Sequence, residues 1–184
     1  MIKLYHKGYS VCRVKGGDPF IFGRGSEEML ALKKAQVPVE IIPGITAASG
    51  CTSYSGIPLT HRGISQGCTF ISGHAQKDLN LDWRALASLD HTLVFYMGLT
   101  QIEFIANKLV HNGLSKKTPS ALVERGTTRK QRVITTSIDN LASKAAQHQF
   151  QSPSLIVIGE VTRLQQQLAW FEPQELANDK RLTA

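Results

Sequence analysis

The residues most able to do chemistry lie in one short run, Gly16-Gly17-Asp18-Pro19-Phe20-Ile21-Phe22-Gly23-Arg24-Gly25, directly after the β-type stretch Val11-Cys12-Arg13-Val14. A glycine pair lets backbone amides come close to a ligand, and a carboxylate beside it can accept hydrogen bonds from hydroxyl groups such as those of a ribose. The run is neither a Gly-x-Gly-x-x-Gly dinucleotide loop nor a Gly-x-x-x-x-Gly-Lys-Ser/Thr phosphate loop, which disfavours a kinase or an ordinary dehydrogenase. Three more loops follow strand-like runs: Pro43 to Ala48, Met97-Gly98, and Glu124 to Thr127. Any one of them could simply turn the chain. A ligand at the carboxyl ends of the strands would meet all four.

The elements that must hold these loops alternate between strand and helix patterns. Val11–Val14 reads as a strand. Ser26 is placed to cap a helix with Glu27 and Glu28 in its first turn and Pro38 beyond its end. Val39–Ile42 reads as a short buried strand, and the small-residue run from Ile45 to Gly56 as an ambiguous helix. Strands are expected at Gly67–Ser72, Thr92–Met97, Ser120–Val123, Arg132–Thr136 and Leu155–Ile158, with a short helix at Trp83–Leu89. Thr100-Gln101-Ile102-Glu103 has the form of a capping box before the stripe Ile102, Ile105, Ala106, Leu109 and Val110, and Asn112-Gly113 supplies the stop. Ser137 is expected to cap a second amphipathic helix carrying Ile138, Leu141, Ala142, Ala145 and Ala146. Strand alternating with helix predicts a largely parallel sheet covered on both faces.

With 184 residues and 42% apolar composition, the chain can bury one sizeable core or two small ones. Pro43-Gly44 is the candidate hinge, dividing residues 1–43 from 44–172 and leaving 173–184 as a polar tail. The longest apolar stretch, Thr92 to Met97, is far short of the roughly 20 residues of a membrane helix, and no signal-peptide core opens the chain. A cytoplasmic location is expected. Three unevenly spaced cysteines, Cys12, Cys51 and Cys68, suggest reduced thiols rather than a disulfide framework, with Cys12 and Cys68 as small buried hydrophobes. The six histidines form no ligand spacing, so no metal is assigned. The net charge of +7 suits an anionic partner. It is diffuse, densest at Lys116-Lys117 and from Arg125 to Arg132, and lacks interleaved aromatics, so no nucleic-acid partner is expected.

Taken together, Val14-Lys15-Gly16-Gly17-Asp18-Pro19-Phe20, Pro43-Gly44-Ile45-Thr46-Ala47-Ala48, Gly56-Ile57-Pro58-Leu59-Thr60-His61-Arg62, Val94-Phe95-Tyr96-Met97-Gly98 and Ala121-Leu122-Val123-Glu124-x-Gly126-Thr127 closely resemble, in order, the motifs of the uroporphyrinogen-III C-methyltransferase family. The likeness runs from about Gly8 to Phe171, and Leu168-Ala169-Trp170-Phe171 looks most like the methyltransferase module of sirohaem synthases. The resemblance implies an α/β, two-domain tetrapyrrole methylase fold with the cofactor between the domains, generally a homodimer. It implies methylation of uroporphyrinogen III to precorrin-2 by S-adenosylmethionine, for sirohaem or cobalamin. The positions matching family cofactor contacts are Gly16, Gly17, Asp18, Ile21, Thr46, Ala47, Met97 and Gly126. Because the substrate is a polycarboxylate, His61 and Arg62, with Arg24 next, are the candidates to bind it. Family members begin with a strand, a glycine- and proline-rich loop and the proposed proton acceptor and donor, none of which has a counterpart here. The first domain is therefore expected to be largely missing, and no catalytic residue is assigned. A chain so shortened is expected to bind cofactor weakly and to turn over slowly or not at all. The alternative reading is a non-catalytic remnant that binds cofactor, tetrapyrrole or a full-length partner.

Overall fold

The structure, a computed structural model, describes residues 1–74 and 79–172. The expected polar tail lies outside the described residues. The chain divides into two compact units, Met1–Thr46 and one that begins at Ala47. Pro43-Gly44 thus belongs to the first unit, a few residues before the division.

The second unit is built on one five-stranded sheet: β1 (Gly67–Ser72), β2 (His91–Tyr96), β3 (Pro119–Glu124), β4 (Arg132–Ser137) and β5 (Ser154–Ile158), in the order β1-β2-β5-β3-β4. Only β1 and β2 pair parallel; β2 with β5, β5 with β3 and β3 with β4 are all antiparallel. The expectation of a largely parallel sheet is therefore corrected. Strand–helix–strand alternation does return the chain in the same direction, because β2 runs with β3 and β4 with β5. The two crossovers interleave, however, so that hydrogen-bonded neighbours oppose one another, and β3 passes to β4 by a hairpin with no helix between.

The helices of this unit explain its core. On one face of the sheet, Leu93, Phe95, Leu122, Ile156 and Ile158 pack with Trp83 of the short helix Trp83–Ser88 and with the apolar stripes of helices Ile102–His111 and Ile138–Gln147. Trp83 stacks on Phe95 with ring centroids 6.4 Å apart. Each such fully buried side chain contributes about 1.5–3 kcal/mol. The alternate residues Val94, Tyr96, Ala121, Val123, Leu155 and Val157 are buried as well, facing the opposite way as the pleat requires. The helix Ala47–Tyr54 packs against β5, with Ala48 and Thr52 fully buried.

Neither cap expected in this unit is formed. Thr100 lies inside a 3₁₀ turn, Leu99–Gln101, so it already has helical geometry and cannot serve as the cap of Ile102–His111. Ser137 does occupy the cap position of Ile138–Gln147, but its hydroxyl donates to the Asp139 carboxylate and accepts from the Asn140 side-chain amide rather than from a backbone amide of the first turn.

In the first unit only two helices form, Ile2–Tyr5 and Gly25–Lys34. The latter starts at Gly25, behind Arg24 in the left-handed region, so Ser26 is inside the helix and not its cap. Val11–Val14 and Val39–Ile42 are not strands: neither has a ladder partner among the described residues, and Val14 and Ile42 are 76% and 75% exposed. Cys12, expected to be buried, is exposed. Leu32 and Val37 are the buried large apolar side chains described in this unit, whereas Tyr9, Phe20 and Leu30 are more than half exposed.

Candidate functional site

The glycine loop of the first unit is folded around Pro19. The Gly25 amide donates to the Pro19 carbonyl at 2.9 Å, and a Cβ built on Gly23 or Gly25 would lie 2.7 or 2.6 Å from that oxygen. Lys15 closes the loop from beneath, donating to the Gly23 carbonyl at 2.8 Å and pairing with Glu28 at 2.5 Å. That contact, helped by Arg13, holds the Glu28 carboxyl below its ordinary range. Phe22 and Arg24 both adopt positive φ, 54° and 56°. Such conformations are uncommon outside glycine and cluster where backbone shape is functional.

Asp18 has a structural task here. One carboxylate oxygen accepts from the Phe20 amide at 2.8 Å and the other from the Gly44 amide at 3.1 Å, tying the Pro43-Gly44 turn to the glycine loop. These amides, Gly44 first, depress its pKa. An ionised carboxylate offers about four lone-pair sites, so capacity for a ligand hydroxyl remains. Gly16 differs from Gly23 and Gly25. A Cβ there would meet no protein atom within 4 Å and its φ is not in the left-handed region, whereas Gly8, Gly63 and Gly113, equally unhindered, have φ of 86°, 79° and 112°. Neither packing nor backbone conformation requires glycine at position 16. Ile21 and Thr46 are half-buried in the same unit.

In the second unit, Ala47 opens the helix Ala47–Tyr54, Gly126 lies against Cys51 of that helix, and Met97 stands just beyond β2. Met97 follows β2 with φ 55° and its side chain half exposed. Behind it, Gly98 and Gly73 bring the ends of β2 and β1 together so closely that a Cβ on Gly73 would lie 2.6 Å from the Gly98 Cα. The Tyr96 hydroxyl accepts from the Ala48 amide at 2.9 Å, which fixes the start of helix Ala47–Tyr54 to the end of β2. Further along that helix, Cys51 packs on Gly126, where a Cβ would be 2.4 Å from Sγ. Burial pushes the Cys51 thiol up, toward its neutral form.

The loop after β3 is strained on both sides of Gly126, with Arg125 at φ 48° and Thr127 at φ 66°. At its base Glu124, 2% exposed, is bonded by Arg132 and lies 3.6 Å from Arg125. Arg132 also donates to the His148 and Gln149 carbonyls and lies 4.5 Å from the Phe150 ring centroid. Much of the basic density read between Arg125 and Arg132 is therefore spent on one buried carboxylate. Sequence reasoning missed Gln131, which is buried in this loop; the signal was one uncharged amide among Arg129, Lys130 and Arg132.

The cationic candidates have different settings. His61 and Ser65 exchange backbone hydrogen bonds, each 2.9 Å, across a turn in which Gly63 takes φ 79°. His61 Nδ1 is 2.8 Å from the Arg62 carbonyl, which can only accept, so the ring proton is on Nδ1. Arg62 is exposed and, among the described residues, its side chain is in no ion pair. Arg24, in the first unit, is committed to an exposed pair with Glu27 at 2.8 Å. Such pairs contribute little to stability. Among the described residues no three histidine, cysteine or acidic side chains could hold a metal ion, and no helix is long and apolar enough to cross a membrane.

The chain is similar to several known proteins. Residues 1–142 match the model of the tetrapyrrole (corrin/porphyrin) methylases. Siroheme synthase 2 of Pectobacterium atrosepticum is 54% identical over 167 residues, covering 91% of this chain and 36% of that protein. The siroheme synthase of Pseudomonas putida W619 is 48% identical over 173 residues, covering 94% and 37%. The chain thus spans little more than a third of the length of these curated relatives. Among solved structures, the uroporphyrin-III C-methyl transferase of Thermus thermophilus complexed with S-adenyl homocysteine matches with TM-score 0.75 and 37% identity, covering 89% of this chain and 72% of that one. A cobalt precorrin-4 methyltransferase shares the fold, with TM-score 0.81 at 21% identity, covering 88% and 68%. From the family match, the relatives and the shared fold, the chain belongs to the tetrapyrrole methylases.

Proposed function

We propose that this chain binds S-adenosylmethionine and serves the C-methylation of uroporphyrinogen III to precorrin-2, on the way to sirohaem or cobalamin. The observation that carries the cofactor reading is Gly16, a glycine that nothing in its own chain requires, in a loop whose family counterpart belongs to a protein solved with S-adenyl homocysteine. When bound, the cofactor supplies a methyl group already activated on a sulfonium, open to attack by an electron-rich pyrrole carbon.

What the chain has to supply is position. Gly16 and Gly17 allow backbone amides to approach, and Asp18 holds that loop while keeping lone pairs for a hydroxyl. Ile21 and the half-exposed Met97 offer apolar contact to the adenosyl part. Thr46, Ala47 and Gly126 complete the cofactor assignment, with the Ala47–Tyr54 helix held by Tyr96 and packed on Gly126 through Cys51. Arg62 and His61, exposed on their turn, and Arg24 meet the carboxylates of the tetrapyrrole. A homodimer in the cytoplasm is the setting this reading implies.

The test is calorimetric titration of the chain with S-adenosylhomocysteine, which needs no turnover. One-to-one binding is the expected outcome, weak in a chain so shortened, with methyl transfer to uroporphyrinogen III slow or absent. A folded sample that takes up no ligand refutes the proposal.

A further inference from the structure

Gln131 is 5% exposed and both ends of its amide are used. Oε1 accepts from the backbone amide of Thr127 at 2.7 Å, and Nε2 donates to the Tyr54 carbonyl at 3.2 Å. Tyr54 is the last residue of helix Ala47–Tyr54, and Thr127 directly follows Gly126 in the loop after β3. One side chain therefore joins the carboxyl end of the helix to the loop that the same helix touches at Cys51. The loop needs such a tie: Arg125 and Thr127 both sit at positive φ, a conformation non-glycine residues keep only when surrounding contacts enforce it.

We infer that Gln131 is a positioning residue for the cofactor loop. It holds Gly126 at a fixed distance from the Ala47–Tyr54 helix without touching the ligand. The inference rests on the cofactor reading above. Its chemistry is specific to an amide, because the two partners make opposite demands: Thr127 presents a donor, Tyr54 an acceptor. Leucine satisfies neither. A glutamate carboxylate satisfies Thr127 but sets an oxygen against the Tyr54 carbonyl. A protonated glutamate, with one carbonyl and one hydroxyl, satisfies both.

That difference supplies the experiment. Wild type, Gln131→Leu and Gln131→Glu are titrated with S-adenosylhomocysteine across pH, and exchange of the Thr127 amide is measured on the same proteins without ligand. Gln131→Leu is expected to lose at least tenfold in affinity at every pH and to expose the Thr127 amide, while the core strands β2, β3 and β5 remain protected. Gln131→Glu is expected to bind weakly where its carboxyl is ionised and to approach wild-type affinity as pH falls through its pKa, a profile a passive filler would not produce. Unchanged Thr127 exchange in Gln131→Leu, or a glutamate variant whose affinity relative to wild type ignores pH, overturns the inference. If wild type itself binds no ligand, the cofactor reading fails and the cofactor role of Gln131 with it. The exchange data then still report whether the tie exists, so the two failures are told apart.

Discussion

Replacing Gly126 with alanine puts a methyl group where a Cβ would be 2.4 Å from Cys51 Sγ, 2.7 Å from its Cβ and 3.1 Å from its Cα. Ordinary carbon contacts lie at about 3.5–4.0 Å, so the overlap is on the order of 1 Å against a helix rather than against a mobile side-chain tip. The helix cannot retreat easily, because its Ala48 amide is bonded to Tyr96 and its far end to Gln131. Overpacking of this kind costs about 1–3 kcal/mol, and the rigid setting argues for the upper half of that range. For a chain of 184 residues this is a fall in melting temperature of roughly 4–12 °C. The φ of Gly126 is not in the left-handed region, so alanine adds no backbone strain and the cost is one of volume. A double-mutant cycle with Cys51→Ala isolates it. Removing Sγ relieves the shortest contact and is expected to recover about half of the loss, a coupling of about 1 kcal/mol by urea denaturation. A Gly126→Ala variant within about 0.5 kcal/mol of wild type, or strict additivity with Cys51→Ala, refutes the packing argument.

Other perturbations separate binding from stability. Gly16→Ala is expected to leave the melting temperature within a degree or two, or to raise it by restricting the unfolded chain, while weakening S-adenosylhomocysteine at least tenfold by calorimetry. Arg62→Ala is expected to weaken binding of uroporphyrinogen III several-fold with unchanged S-adenosylhomocysteine affinity; equal loss of both would count against a carboxylate clamp. Asp18 has a folded pKa depressed chiefly by the Gly44 amide, so its contribution is present above the ordinary carboxylate range and is lost as pH falls through the depressed value. Protection of the Gly44 amide, read by hydrogen exchange, should follow that course in wild type and be low and flat with pH in Asp18→Asn.

Much of the second unit was legible because its residues satisfy local and global demands together. Thr92-Leu93-Val94-Phe95-Tyr96 and Leu155-Ile156-Val157-Ile158 are buried on both faces and read as strands for that reason. The stripe Ile102, Ile105, Ala106 and Leu109 faces the core and reads as a helix. Strand direction was not legible, since a helical crossover fixes the direction of the returning strand but not which strand lies beside it. Val11–Val14 and Val39–Ile42 have strand composition without a strand partner, and a ladder is a property of pairs. At the candidate site, the glycine loop stood out by residue type, whereas Met97 was singled out as a contact only through the family resemblance. The Asp18–Gly44 tie and the Gln131 strut did not, because each joins groups distant in sequence through a backbone amide or carbonyl, which residue identity leaves unmarked.

The uneven burial of the two units decides what a bulk unfolding experiment can see. Leu32 and Val37 give the first unit little apolar area to expose, whereas the second unit holds a continuous core on both faces of its sheet. Denaturant sensitivity scales with newly exposed surface, so the m-value of this chain should fall below that of a uniformly packed protein of equal length. The glycine loop would then open and close beneath the global transition, at free energies invisible to a melting curve. Changes around Gly126 register in such a curve; changes around Asp18 do so only in local protection.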